Sequence, residues 1–172
     1  MSIMRKCVKD KANRYLLAES FVDNPANPLM VIGANPSIAD AEKTDLTFGS
    51  ICRIARGNGY DQVIVVNLTP FIAANPQNLP YKQDVSSASR NHKIIEEAAN
   101  HIVNMVGCLD VWCAWGNLVE TRTYLPLNRT SIIKLLINRQ ANLLSLPNLT
   151  KNGNPAHPLY HKHNSRLVPY QI

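Results

Sequence analysis

Short runs of consecutive apolar residues recur along the chain, and each stops at a turn residue. Leu29-Met30-Val31-Ile32 ends at Gly33, Val63-Ile64-Val65-Val66 ends at Asn67, and Val111-Trp112-Cys113-Ala114 runs into Trp115-Gly116. Unbroken runs of this length are the pattern of strands covered on both faces, as in a parallel sheet. Asn142 to Leu146 reads as a fourth strand of this kind. Arg14 to Phe21 reads as an edge strand, followed by a turn at Pro25 and Pro28.

Between these runs the apolar spacing changes to three and four. Phe48, Ile51, Cys52 and Ala55 predict a helix from Thr47 to Arg56, stopped by Gly57-Asn58-Gly59. Ser86 or Ser87 is expected to cap a long helix carrying Ile94, Ile95, Ala98, Ala99, Ile102, Val103 and Val106 inward and ending at Gly107. Asn117 to Leu125 predicts a short helix broken by Pro126, and Thr130 to Arg139 predicts a second. Ser37 to Lys43 is polar loop, and Asn67 to Val85, with Pro70, Pro76 and Pro80, is a long loop of the kind that often carries function. The alternation of strands and helices predicts right-handed crossovers. The expected fold is a three-layer α/β/α sandwich around a central, mainly parallel four-stranded sheet, with an extra N-terminal edge strand, residues 1–172 forming one domain.

Composition narrows the classes. An apolar fraction of 45% and a charged fraction of 17% fit a folded globular chain, and no apolar run approaches the length of a membrane span. Met1 to Asp10 lacks the apolar core of a signal peptide, so cytoplasmic residence is the expectation. Cys7, Cys52, Cys108 and Cys113 form no Cys-x-x-Cys pair and are expected to be reduced and buried. A net charge of +6 favours an anionic partner such as nucleic acid or nucleotide, although no polybasic run is present. His157, His161 and His163 have no acidic companion nearby in sequence, and neither metal nor cofactor is expected.

The turn residues matter because ligands in open α/β sheets bind outside the carboxyl ends of the parallel strands. Gly33-Ala34-Asn35-Pro36-Ser37, Asn67, Trp115-Gly116 and His157-Pro158-Leu159-Tyr160 should therefore converge, although they are far apart in sequence. In order, Arg14-Tyr15, Asn35 to Asp40, Val66 to Leu68, Ala114 to Gly116, Arg122 and His157 to Tyr160 match the pattern of a bacterial and phage domain of unknown function, number 1643, which the chain resembles nearly end to end. It departs from that pattern at Ala34, Leu46 and Thr69-Pro70.

More distantly, the same segments are similar to those of the uracil-DNA glycosylase superfamily. That resemblance implies that Asn35 positions a water, that Asn67 reads a base edge, and that His157 stabilises the departing base. Hydrolysis of an N-glycosidic bond passes through an oxocarbenium-like state, and an amide cannot accept a proton as a carboxylate does, so Asp40 or Asp45 would have to supply a base. Phe48 or Phe71 could stack on a flipped base, Gly116 could meet a phosphate through its backbone, and Arg122 could bind phosphate or carboxylate. Gly33, Pro36, Ser37, Trp115 and Tyr160 complete the expected crevice.

Each residue also has a plainer reading. Asn35-Pro36 makes an ordinary turn, Asn67 can cap its own loop, Asp40 and Asp45 can serve the start of the next helix, Trp115 can be core, and Arg122 can form a surface pair. Three functions remain open: a nucleobase or nucleic-acid binding protein with glycosidic hydrolysis, a non-catalytic reader of a modified base or nucleotide, and a hydrolase or transferase of a free nucleotide with Asn67 to Val85 as a lid. Oligomeric state is undetermined by these patterns.

Overall fold

The computed structural model describes residues 4–159 and 161–172. One sheet runs through the molecule. In chain order its strands are β1 (Met4–Lys9), β2 (Arg14–Ser20), β3 (Pro28–Gly33), β4 (Gln62–Asn67), β5 (Asp110–Cys113), β6 (Asn142–Ser145) and β7 (Val168–Pro169), arranged β1-β2-β4-β3-β5-β6-β7. The apolar runs supply the four parallel strands in the middle, β4, β3, β5 and β6. Antiparallel strands extend the sheet on both sides, so it has seven strands instead of the expected four with one added edge strand.

Period-two alternation divides the core. Leu29, Val31, Val63, Val65 and Trp112 face α1 (Leu46–Gly57), whereas Met30, Ile32, Ile64, Val66, Val111 and Cys113 face α2 (Val85–Val106) and α3 (Tyr124–Ile137). Helices thus cover both faces, which is why the central strands are apolar throughout. The chain winds from β3 to β4 on one side, then returns past β3 to β5, so the winding reverses between β3 and β5. That reversal is the switch point at which an open sheet leaves a crevice.

The differences from expectation have local causes. The expected edge strand, β2, is interior because β1 pairs outside it; Arg5, Lys6 and Lys9 suit a solvent-facing edge and interrupt the apolar pattern that would have marked β1 as a strand. Pro126 does not break a helix. It lies in the first turn of α3, where a missing N–H costs no helical bond, while Gly116–Glu120 forms a separate 3₁₀ turn. Asp84, not Ser86 or Ser87, caps α2 by accepting from the Ser87 N–H, and Gly107 closes that helix in a left-handed conformation (φ 77°). The long loop contains a 3₁₀ turn at Pro76–Asn78.

The four cysteines are free, but only Cys52 and Cys113 are buried; Cys7 is half-buried and Cys108 exposed. Among the described residues no helix is long and apolar enough to cross a membrane.

Two substitutions separate these determinants. Ile102→Ala, at a fully buried site between α2 and the sheet, is expected to cost about 2–5 kcal/mol in chemical denaturation. Pro126→Ala is expected to stay within about 0.5 kcal/mol with unchanged helical circular dichroism, because no helical bond is missing at that position.

Candidate functional site

The backbone ladder of β3 and β4 continues beyond both strands. Leu68 N donates to Gly33 O (2.9 Å), Thr69 N to Ala34 O (3.0 Å) and Ala73 N to Pro36 O (3.1 Å), so the first part of the long loop is bound along the Gly33 to Pro36 segment. On the other side, Gly116 N donates to Pro155 O (2.9 Å) and the buried Ser50 Oγ to Pro158 O (2.9 Å), which ties the last loop to the end of β5 and to α1. Gly116 has φ 58°, and a Cβ there would lie 3.4 Å from the Cβ of His157.

These bonds enclose a cavity of about 380 Å³ outside the carboxyl ends of β3, β4 and β5. Gly33, Asn35, Ser37, Phe48, Asn67, Trp115, Gly116 and His157 all line it, so the separated segments do meet in space. Among the described residues no aspartate or glutamate belongs to the lining.

Asn67 is the most constrained of these residues. It is 3% exposed, it is the register partner of Gly33, and its Oδ1 lies 2.6 Å from where a Cβ on residue 33 would stand. Asn91 Nδ2 holds its backbone carbonyl at 2.9 Å, yet its own Nδ2 is buried without a hydrogen-bond partner among the described residues. An unmade hydrogen bond of this kind is costly and rare in folded proteins. Asn35, by contrast, spends its Nδ2 on Pro36 O and Ala73 O (both 2.9 Å), clamping the loop and leaving its Oδ1 as the acceptor it can offer.

Ser37 Oγ donates to Asp45 Oδ2. Asp45 is the N-cap of α1, accepting from Phe48 N at 2.8 Å and from Ala39 N at 3.1 Å. His157 stands at the mouth, where Leu159 N donates to its Nδ1 (3.2 Å), which leaves Nε2 as the protonated nitrogen of the neutral ring. Although the residue keeps solvent contact, protein packed around the ring lowers its pKa from 6.5 chiefly by desolvation, assisted by His161 and opposed by Asp45.

Other expected site residues lie elsewhere. Asp40 is a turn residue, accepting from Glu42 N and Lys43 N (both 3.0 Å) and pairing with Lys9 at 2.6 Å; that pair and those donors hold its carboxyl well below the usual carboxylate range. Arg122 grips the loop through Leu79 O and Gln77 O instead of facing the cavity. Phe71 packs on the α2 and α3 side of the core, and Pro36 contributes its carbonyl to loop contacts. Phe48 lines the wall, but its ring is 2% exposed and lies 5.1 Å from the Arg5 guanidinium, which limits it as a stacking platform. Tyr160 is outside the described residues.

The sequence reading missed Arg14. It lines the cavity at 4% exposure, and the cause is a bulge in β2: Val8 pairs with Leu16 but Lys9 with Arg14, which leaves Tyr15 as an extra residue. Regular alternation would place Arg14 with Leu16 and Ala18, which pack on the α2 and α3 side. The bulge sends it to the α1 side, where its Nη1 donates to Ala39 O at 2.6 Å. Its place at the head of the Arg14-Tyr15 segment was the available signal.

The crevice thus lies at the switch point of an open α/β sheet, where such sheets in general take ligands, and its volume is in the range of small-molecule pockets. The family model described as protein of unknown function (DUF1643) matches residues 14–159, and the chain belongs to that family. No curated protein matches the chain.

Gly33→Ala is expected to displace Asn67 and lower stability by about 1–3 kcal/mol in denaturant titrations. In an NMR titration His157 is expected to ionise below pH 6.5. Its lowered pKa means that the group's contribution to stability is complete above that value and is lost as pH falls through the folded-state pKa. His157→Gln should accordingly reduce the acid-side loss, and a His157 pKa at or above 6.5 would contradict the assignment.

Proposed function

We propose that the protein binds a nucleobase-bearing ligand in this cavity, with Asn67 reading the base edge. The observation that supports this most is the Asn67 amide, buried without a partner among the described residues in the wall of the cavity, where the missing Gly33 side chain makes room for it. A carboxamide offers a donor and an acceptor side by side, which matches the paired acceptor and donor of a base edge. Binding would supply the hydrogen bond that the unliganded fold leaves unmade.

A second reading, glycosidic hydrolysis of the uracil-DNA glycosylase kind, is favoured by one feature: His157 is held neutral with Nε2 available as a donor to a departing base. Asn35 Oδ1 would then orient the water. With no carboxylate in the lining, general base catalysis worth about 10²- to 10⁴-fold is missing, so this chemistry would proceed slowly and recognition is the main activity.

Calorimetric titration with a panel of nucleosides tests the first reading. Asn67→Ala is expected to weaken binding tenfold or more while leaving the melting temperature unchanged or higher, since it removes an unsatisfied buried group. Failure of every nucleoside to bind would reject base recognition. Incubation with DNA bearing uracil, hypoxanthine, mismatched thymine or bulky modified bases tests the second, with slow base release expected to disappear in Asn35→Ala and His157→Ala.

A further inference from the structure

Arg14 presents a charge that the fold does not use. It is only 4% exposed, yet it is absent from the ion pairs of the described residues. Among the described residues its guanidinium makes one hydrogen bond, to the backbone carbonyl Ala39 O, and its Nε is buried with no partner. Asp40 and Asp45 are close enough to favour its charge, but neither forms an ion pair with it. Buried guanidinium groups are ordinarily paired, because desolvation of an unpaired charge is expensive. A prop for the Ala39 carbonyl needs only a neutral donor. The permanent charge and the open Nε, which with Nη2 forms the edge that grips an oxyanion through two parallel bonds, remain without a use.

Position gives that charge a role. β2 runs antiparallel to β4, so its first residue lies beside the carboxyl end of β4, and Arg14 and Asn67 line the same cavity. Thr47 and Phe48 bring the N-terminus of α1 to the wall, but the Asp45 carboxylate already takes the Phe48 N–H there. The attraction for an anion therefore comes from Arg14 and not from the helix end.

We propose that Arg14 is an anion-binding residue that receives the terminal phosphate of the ligand whose base Asn67 reads, so that the cavity takes a nucleoside monophosphate; the base half of this assignment rests on the function proposed above. A monoester is favoured over a strand because Arg14 is 4% exposed and shares the cavity wall with the apolar Val31, Ile51 and Val65. A diester reaching it would carry chain into the cavity on both sides.

The test compares nucleosides, their 5′-monophosphates, inorganic phosphate and a short single-stranded oligonucleotide on wild type, Arg14→Met and Arg14→Lys, by calorimetry and thermal melting. Wild type is expected to bind monophosphates at least about tenfold tighter than nucleosides, the least that a charge-assisted pair contributes. Arg14→Met should abolish that gap and melt at or above the wild-type temperature without ligand. Arg14→Lys, which keeps the charge but not the fork, should retain part of the gap and serves if the Met variant does not fold.

Equal wild-type affinities for nucleoside and monophosphate, or a gap that survives in the variants, overturn the proposal. So does an Arg14→Met protein that melts lower with the gap intact, which would make Arg14 a prop. If nucleosides fail but inorganic phosphate raises the wild-type melting temperature and not that of Arg14→Met, the anion site stands and base recognition falls. An oligonucleotide that binds tighter than the monophosphates through Arg14 overturns the terminal-phosphate source.

Discussion

The parallel hydrogen-bond ladder between β3 and β4 is the interaction on which the rest of the site depends. It pairs Gly33 with Asn67 and then continues through Leu68, Thr69 and Ala73, so that the long loop is a fixed wall along its first third. Register leaves no room at residue 33 for a side chain, because the Asn67 carboxamide fills the place of a Cβ. The same pairing that builds the core thus delivers a buried amide to the crevice. A one-residue slip would exchange the two faces of the strand and send Val65 and Val66 to the wrong helical layers.

The opposite wall is closed by polar contacts of longer range. Asn154 Nδ2 donates to Glu120 Oε1 (2.6 Å) and Asn117 Oδ1 (3.1 Å), fastening the last loop to the 3₁₀ turn after β5. Together with the Gly116 and Ser50 bonds, this fixes His157 at the mouth. What results is a wall of apolar side chains and buried donors, without a carboxylate. Among the described residues Arg14 Nε and Asn67 Nδ2 are both donors lacking acceptors.

The acidic residues near the site act at one remove. Asp45 has both oxygens engaged, by Phe48 N on one and by Ser37 Oγ and Ala39 N on the other, so it shapes the entrance through α1 and Ser37. Asp40 organises a turn and an ion pair with Lys9. Arg122 supports the far part of the long loop at Gln77 and Leu79, and its guanidinium lies 4.7 Å from the Tyr81 ring. These residues hold the frame in which the wall residues stand, and the frame explains why polar positions outside the cavity sit in the same motifs as those inside it.

The parallel core, the helices between its strands and the convergence of four turn segments were legible in the sequence. Each rests on local properties: unbroken apolar runs, helical spacing and turn residues at strand ends. β1, β7 and the continuous α3 were not, because a charged edge strand has no apolar signature and the effect of Pro126 depends on where the helix begins. The sequence also placed Asn35, Asn67 and His157 near one crevice, with His157 foremost because prolines on both sides hold it in the loop after the last core strand. Only the tertiary structure showed which amide is committed to backbone carbonyls and which is left unpaired. It alone decided the place of Arg14, since a single bulged residue in β2 determines the face that a side chain takes, and that depends on pairing with β1 and β4 and not on any property of residues 14 to 20 by themselves.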